Sequence, residues 1–301
     1  MSLTFFVFSD IISGKEDSDM TENNLKAIEE AYAQAEAYFF KPFSSERRKS
    51  AEPHLYFIFS SPGAGKSTNI KPLLKNELAA DKPVVLEVDE LKSFVPENAD
   101  VVKTVDDWFL KLINKAMEEK RSLIIMRQRN MLVPKQTLNI YKTAKEKGFI
   151  THANIVALDK ARSRLGMIHR YEYALDDKST DEQHIRENYP RKPDFLRHKI
   201  FYKAVPLITA FCSCSKYVDI VEVYDRERNK LAWNNKITGD KSYISPIRAL
   251  FKERKRAWEP WEKEKFNTQK QQAKEKMKEH NCSILDMIKF KFLTRTRRNK
   301  S

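Results

Sequence analysis

Apolar and polar positions along the 301 residues alternate in a way that predicts helices interleaved with buried strands. From about Asn24 to Phe40, the residues Leu25, Ile28, Ala31, Ala35 and Phe39 recur at helical spacing on one face, and Pro42 stops the helix. Short β-rich apolar runs follow at Leu55–Phe59, Val84–Val88, Leu123–Met126, Ala153–Leu158 and Val218–Val223. The segments Val105–Glu118 and Lys135–Lys147 read as helices, and Gly148 suits a C-terminal stop. Buried strands that alternate with helices imply a parallel sheet covered on both faces, an α/β fold with ligands gathered at the carboxyl ends of its strands. Tyr224–Leu231 reads as a strand turning into a hairpin.

The ends of the chain differ from this pattern. Leu3–Phe8 is a short apolar run that reads as a strand or an anchoring segment, and Ser13–Asn23 is a polar linker. A basic loop, Glu46 to Glu52, precedes the Leu55 strand. Beyond Ser245-Pro246, Arg248–Lys278 is dense in Lys, Arg, Glu and Gln and predicts long charged helices interrupted at Pro260. Trp258, Trp261 and the amphipathic stretch Ile284–Phe292 are its expected anchors on the core. A solvated charged helix accounts for this extension better than a dedicated nucleic-acid arm.

Chemistry enters at the first strand. Leu55–Phe59 runs into Ser60-Ser61-Pro62-Gly63-Ala64-Gly65-Lys66-Ser67-Thr68, with helix-forming residues after it. Strand, glycine-bearing loop and helix N-terminus together cradle phosphates, because small residues let backbone N–H groups turn inward. Ser61, Gly63, Ala64, Gly65, Lys66, Ser67 and Thr68 are therefore expected to bind nucleotide. Lys66 would reach the β- and γ-phosphates and Ser67 would ligate Mg²⁺, so ATP and Mg²⁺ are the expected cofactors. Ser60 stands where the pattern has its first glycine.

The strand that follows ends in Glu87-Val88-Asp89-Glu90, with Lys92 beyond. A carboxylate at that position can take the proton from an acceptor hydroxyl, which makes Asp89 the expected general base. Two alternatives are that it orients Mg²⁺ through water or caps the next helix. Glu87 is a second acidic candidate for the substrate side, and Lys92 one for an acceptor phosphate. A basic block, Arg162, Arg164, His169 and Arg170, follows the fourth strand at helical spacing. An arginine there can neutralise charge on a transferred phosphoryl group. The alternative is a basic helix face paired with Glu172 and Asp176. His169 reads as a packing or hydrogen-bonding residue.

Net charge is +14, from 56 Lys and Arg against 42 Asp and Glu, which favours polyanions or phosphorylated substrates without specifying nucleic acid. Three cysteines, Cys212, Cys214 and Cys282, cannot all pair within one chain. Few cysteines beside an ATP loop favour a reducing, cytoplasmic location. No basic stretch precedes the N-terminal apolar run, which argues against a secretory signal. No apolar run approaches the ~20 residues that span a bilayer, so no membrane partner is expected.

Several of these pieces together resemble the zeta-toxin family of P-loop kinases. They are Ser61–Ser67, Val88-Asp89-Glu90-Leu91-Lys92 with Pro96, Leu165-Gly166-Met167-Ile168-His169-Arg170-Tyr171-Glu172, Tyr224-Asp225-Arg226 and Ile244-Ser245-Pro246. The likeness runs from about Leu55 to Leu250. It implies a P-loop kinase-like parallel sheet flanked by helices. The domain would span residues 1–245, with the strand and helix of 1–45 packed on it, followed by a basic helical extension over 246–301.

The resemblance also implies phosphoryl transfer from ATP to the 3′-hydroxyl of a nucleotide sugar such as UDP-N-acetylglucosamine. Lys66 and Ser67 would hold phosphate and Mg²⁺, Asp89 would be the base, and Arg170 would contact the transferred phosphate. Two departures bear on the substrate. Met126 occupies the place of a family glutamate, with Arg127 and Arg129 beside it as candidate contacts to a more phosphorylated acceptor. The family's second arginine has no clear match, with Lys178 and Arg186 as stand-ins. Alternative readings are a polynucleotide 5′-hydroxyl kinase and a catalytically weakened ATP-binding protein. An antitoxin partner follows from the resemblance, and delivery into a host cell as an effector is equally compatible with the sequence.

Overall fold

The computed structural model describes residues 22–40, 52–180 and 190–295. The Leu3–Phe8 run, Pro42, most of the basic loop, Arg186 and the last six residues lie outside them. The order is α1 (Glu22–Phe40), β1 (His54–Phe59), a π-helical turn (Lys66–Ile70), α2 (Lys71–Glu77), β2 (Val84–Glu87), α3 (Val88–Lys92) and α4 (Val101–Glu118). Then come β3 (Leu123–Met126), a 3-10 turn (Gln128–Met131), α5 (Pro134–Glu146), β4 (Ile150–Val156) and α6 (Lys160–Leu175). The described chain ends with α7 (Phe195–Cys214), β5 (Ile220–Tyr224), β6 (Lys230–Asn235), α8 (Pro246–Lys255), α9 (Pro260–Glu279) and α10 (Ile284–Leu293).

Among the described residues six strands make one sheet in the order β2-β3-β1-β4-β5-β6. β1 to β5 are parallel, and β6 returns antiparallel to β5 because a tight hairpin joins them. Both faces are covered, which is why the parallel strands read as unbroken apolar runs. Leu55, Phe57 and Phe59 of β1 point into a large cluster with α1, α4, α5 and α7. Tyr56 and Ile58 point the other way, towards Ile70, Leu74 and Leu78 around α2. That split is the period-two alternation of a strand.

β1 lies between β3 and β4 although β2 follows it in sequence. The chain therefore leaves β1 to one side and later returns to the other, and the crevice at this reversal is where such sheets bind ligands. Three sequence readings shift. Val88 opens α3 instead of ending β2, β4 starts at Ile150, and β5 runs Ile220–Tyr224. The C-terminal anchor also moves. Trp258 packs against α6 as expected, but Trp261 is 49% exposed, and Phe266, Ala273, Met277 and Phe290 form the buried contact with Ala161, Leu165 and Ile168. The three cysteines are free thiols.

Candidate active site

β1 delivers its chain into a loop shaped by two left-handed glycines, Gly63 at φ +74° and Gly65 at φ +85°. Space as well as backbone demands glycine at 63. A Cβ there would lie 2.2 Å from the Ser163 carbonyl oxygen and 2.8 Å from the Met167 nitrogen. The contact is reciprocal, because a Cβ on Gly166 would lie 2.5 Å from the Gly63 oxygen. The loop therefore rests directly on the backbone of α6.

Ser163 fastens it there. Its hydroxyl donates to the Pro62 carbonyl at 2.7 Å and lies 2.9 Å from both the Ser61 hydroxyl and His198 Nε2. One O–H and two lone pairs satisfy all three contacts if Ser61 and His198 donate. Burial, with Arg164, Lys160 and Arg254 nearby, pushes the His198 imidazole down to about 4, so it is neutral at pH 7. Ser60 is buried with an ordinary negative φ, so the missing first glycine brings no left-handed strain.

Lys66 and Ser67 begin the π-helical turn. The Ser67 hydroxyl donates to Glu87 at 2.9 Å, Lys71 Nζ lies 3.0 Å from the same carboxylate and Lys66 Nζ 4.0 Å from it. Burial alone would raise the Glu87 carboxyl, but Lys66, Lys71 and the Ser67 hydroxyl hold it below its usual range. The structure thus places Glu87 against the phosphate loop. A hydroxyl beside a carboxylate is a donor set that suits a hard divalent cation, and a left-handed glycine loop leading into a helix suits phosphate.

Asp89 sits in the first turn of α3. Arg191 donates to its carboxylate, and Lys92 Nζ lies 3.7 Å away. Burial pushes this carboxyl up, but Arg191, Lys66, Lys92 and Arg170 together hold it below the ordinary aspartate value. The Asp89 carboxylate, the loop lysine and two arginines therefore converge. Arg170 comes from the far end of α6, with His169 stacked on Tyr173 at 4.2 Å between centroids. The second arginine at Asp89 is Arg191. Lys178 is exposed, and Arg186 lies outside the described residues.

A cleft of about 190 Å³ opens beside Asp89. Lys66, Asp89, Lys92, Asp106, Met126, Arg127, Arg129 and Arg197 line it. Arg127 is 3% exposed, lies over the Phe109 ring at 4.6 Å and donates to Asp106. Arg129 is half exposed and reaches the other Asp106 oxygen at 2.6 Å. The two arginines beside Met126 thus share a carboxylate from α4, so less positive charge faces the cleft than the sequence suggested. Sequence reasoning missed Asp106 and Arg191. Asp106 had one signal, a carboxylate beside the buried face of α4 formed by Val105, Trp108 and Phe109.

Arg162 of the basic block has a structural role. Arg162 is 5% exposed and bridges Glu262 at 2.6 Å and Glu227 at 2.8 Å. Glu172 and Asp176 do not pair with the arginines of their own helix; they take His280, at 2.8 and 2.9 Å.

Among solved structures, the chain is similar to one from the PezAT chromosomal toxin–antitoxin system of Streptococcus pneumoniae, with 18% identity over 84% of this chain and 98% of that one, at a TM-score of 0.61. It is also similar to the AvrRxo1-ORF1:AvrRxo1-ORF2 complex with sulphate ions, at 15% identity over 76% of this chain and 72% of that chain, TM-score 0.51. The same complex with ATP gives 14% identity over 76% and 71%, TM-score 0.50. At such identities the likeness is one of fold. No curated protein matches the chain. The zeta toxin family model matches residues 42–238, a span holding the phosphate loop, Asp89, Arg170 and Arg191, and the chain belongs to the zeta toxin family.

Proposed function

We propose that this protein is an ATP- and Mg²⁺-dependent phosphotransferase acting on a hydroxyl group of a nucleotide-containing small molecule. The observation that carries the reading is the Arg191–Asp89 ion pair beside the left-handed glycine loop, with the charges of Lys66 and Arg170 acting on the same carboxylate. Asp89 is ionised at neutral pH, so it can accept the proton of an acceptor hydroxyl as that oxygen attacks phosphorus. Lys66 and the two arginines place positive charge where the transferred phosphoryl group gathers negative charge. Ser67 and Glu87 would hold Mg²⁺, which supplies charge neutralisation at the phosphates. The acceptor enters the cleft beside Asp89, where Lys92, Arg129 and Arg197 suit its own phosphates.

Family membership and the toxin–antitoxin complexes among the fold relatives support an antitoxin as protein partner. The test is transfer of label from ATP with Mg²⁺ to a panel of nucleotide sugars, nucleotides, dinucleotides and oligonucleotides, beside Asp89→Asn. Transfer to one small acceptor, reduced at least about 100-fold in the variant, is expected. Transfer to oligonucleotide ends alone, or an Asp89→Asn protein as active as the parent, refutes the reading.

A further inference from the structure

α10 is attached to the molecule by one side. Phe290 and Thr294 are buried, and Met287 packs against the cluster that holds Leu165 and Ile168. The opposite side carries large apolar residues facing solvent. Ile284 is 80% exposed, Leu285 67%, Ile288 47% and Phe292 68%. At about 100° per residue these four fall within a single arc of about 100°. Lys289 borders the arc on one edge and Lys291 on the other, while Asp286 lies outside it.

The cationic rim extends beyond the helix. Lys270 of α9 reaches the Thr294 carbonyl at 3.3 Å. Its ammonium group is held below its usual range by partial burial and by the neighbouring charges of Lys274 and Lys291. Arg295 is exposed, and the sequence runs on through Arg297, Arg298 and Lys300. A nucleic-acid surface has no use for exposed isoleucine, leucine and phenylalanine. A solvated helix would not collect them on one face.

We propose that α10 is an interfacial helix that seats this face on an anionic lipid surface. Ile284, Leu285, Ile288 and Phe292 enter the acyl boundary, and Lys270, Lys289, Lys291 and Arg295 meet the headgroups. Apolar insertion and a basic patch are the two signals that reversible membrane attachment needs together. No helix among the described residues is long and apolar enough to cross a membrane. The expectation of no membrane partner rested on that lack, which a helix lying in the interface does not contradict. Because α10 packs on α6, attachment would hold Arg170 and the phosphate loop at a fixed orientation to the bilayer. The inference does not depend on the proposed activity.

The test uses the full chain with sucrose-loaded vesicles of phosphatidylcholine alone or with about 30% phosphatidylserine, near 0.1 and 0.5 M salt. Sedimentation with the anionic vesicles should be at least ~10-fold stronger than with neutral ones and should weaken at the higher salt. Ile288→Glu with Phe292→Glu should cut it at least ~10-fold while melting temperature and ATP affinity stay unchanged, since both side chains face solvent. Failure to sediment with anionic vesicles, equal binding to both vesicle types, or full binding by the double variant overturns the proposal. A dimer in light scattering that the same variant breaks, without vesicle binding, assigns the face to a second copy and overturns it likewise.

Discussion

Helix propensity alone says that Gly166→Ala, in the middle of α6, should stabilise the protein by about 1 kcal/mol. The structure reverses that sign. The added Cβ would lie 2.5 Å from the Gly63 oxygen and 3.4 and 3.5 Å from the Gly63 carbonyl carbon and Cα. Every atom in its way is backbone, so no side chain can rotate aside. Ordinary contact returns only if α6 and the phosphate loop separate by most of an ångström. Overpacking of this kind costs about 1–3 kcal/mol, which leaves a net destabilisation of about 0–2 kcal/mol after the propensity gain. The same separation stretches the Ser61–Ser163 and Ser163–Pro62 hydrogen bonds and shifts the loop relative to Arg170. ATP affinity should therefore fall further than stability does, by about 10-fold or more. Thermal melting gives the first quantity and calorimetric titration with ATP and Mg²⁺ the second. A melting temperature that rises, with ATP affinity unchanged, would refute the reasoning.

Three further perturbations separate structural charges from functional ones. Asp106→Ala strands the buried guanidinium of Arg127 and should cost about 3–5 kcal/mol in urea unfolding, whereas Arg127→Met, which removes that charge, should be close to neutral; equal effects would sink this account. Glu262 is almost fully buried, yet its carboxyl is lowered from 4.5 to about 2: burial raises it, but Arg256, the Glu259 backbone and Arg162 prevail. A folded value below the unfolded one means stabilisation that is present above about pH 4.5 and disappears as pH falls towards 2, worth at most roughly 3 kcal/mol. Glu262→Gln should flatten that limb of the stability–pH curve, and a limb that keeps its slope speaks against the assignment. The His280 imidazole is raised because its ring N–H groups donate to the Asp176 and Glu172 carboxylates, so its contribution is complete below about pH 6.5 and is lost as pH rises through the higher folded value. His280→Gln should therefore lower the melting temperature more at pH 6 than at high pH, and an equal loss at both would sink the assignment.

The parts of the site legible in the sequence are those built by local chemistry. Leu55–Phe59, the two glycines and Lys66-Ser67-Thr68 specify a strand, a turn and a helix start within fifteen residues, and the structure keeps that order. Asp89 was legible because a strand end fixes where its neighbours go. Arg191 was not, because it lies 102 positions from Asp89 and beyond a segment without periodic pattern. Asp106 was hidden for a related reason. The charge that answers Met126, Arg127 and Arg129 comes from α4, and no spacing rule links a helix residue to a strand end. Gly166 was read only as part of a family block, since a glycine inside a helix gives no sign of the backbone it touches. Arg162 was left open because a basic helix face looks the same whether its arginines meet phosphate or buried glutamates.

Gly166 and Arg162 both belong to α6, which does four jobs at once. Its Gly166 and Ser163 hold the phosphate loop, and its last turns carry Arg170. Arg162, in its first turn, is tied to Glu262, where α9 begins, and Glu262 is also gripped by Arg256. Its outer face, Ala161, Leu165 and Ile168, is buried by Phe266, Ala273, Met277 and Phe290 of the C-terminal helices. The charged extension is thus wired to the same rigid body as the phosphate loop and Arg170. Helices of that composition would be marginal alone, because their stability comes from one buried stripe rather than from propensity. The dependence runs both ways: without α9 and α10, α6 would expose that apolar face and leave Arg162 with one carboxylate instead of two. The position of Arg170 is therefore set by contacts on both sides of α6, and those on one side come from residues far outside the phosphate-binding core.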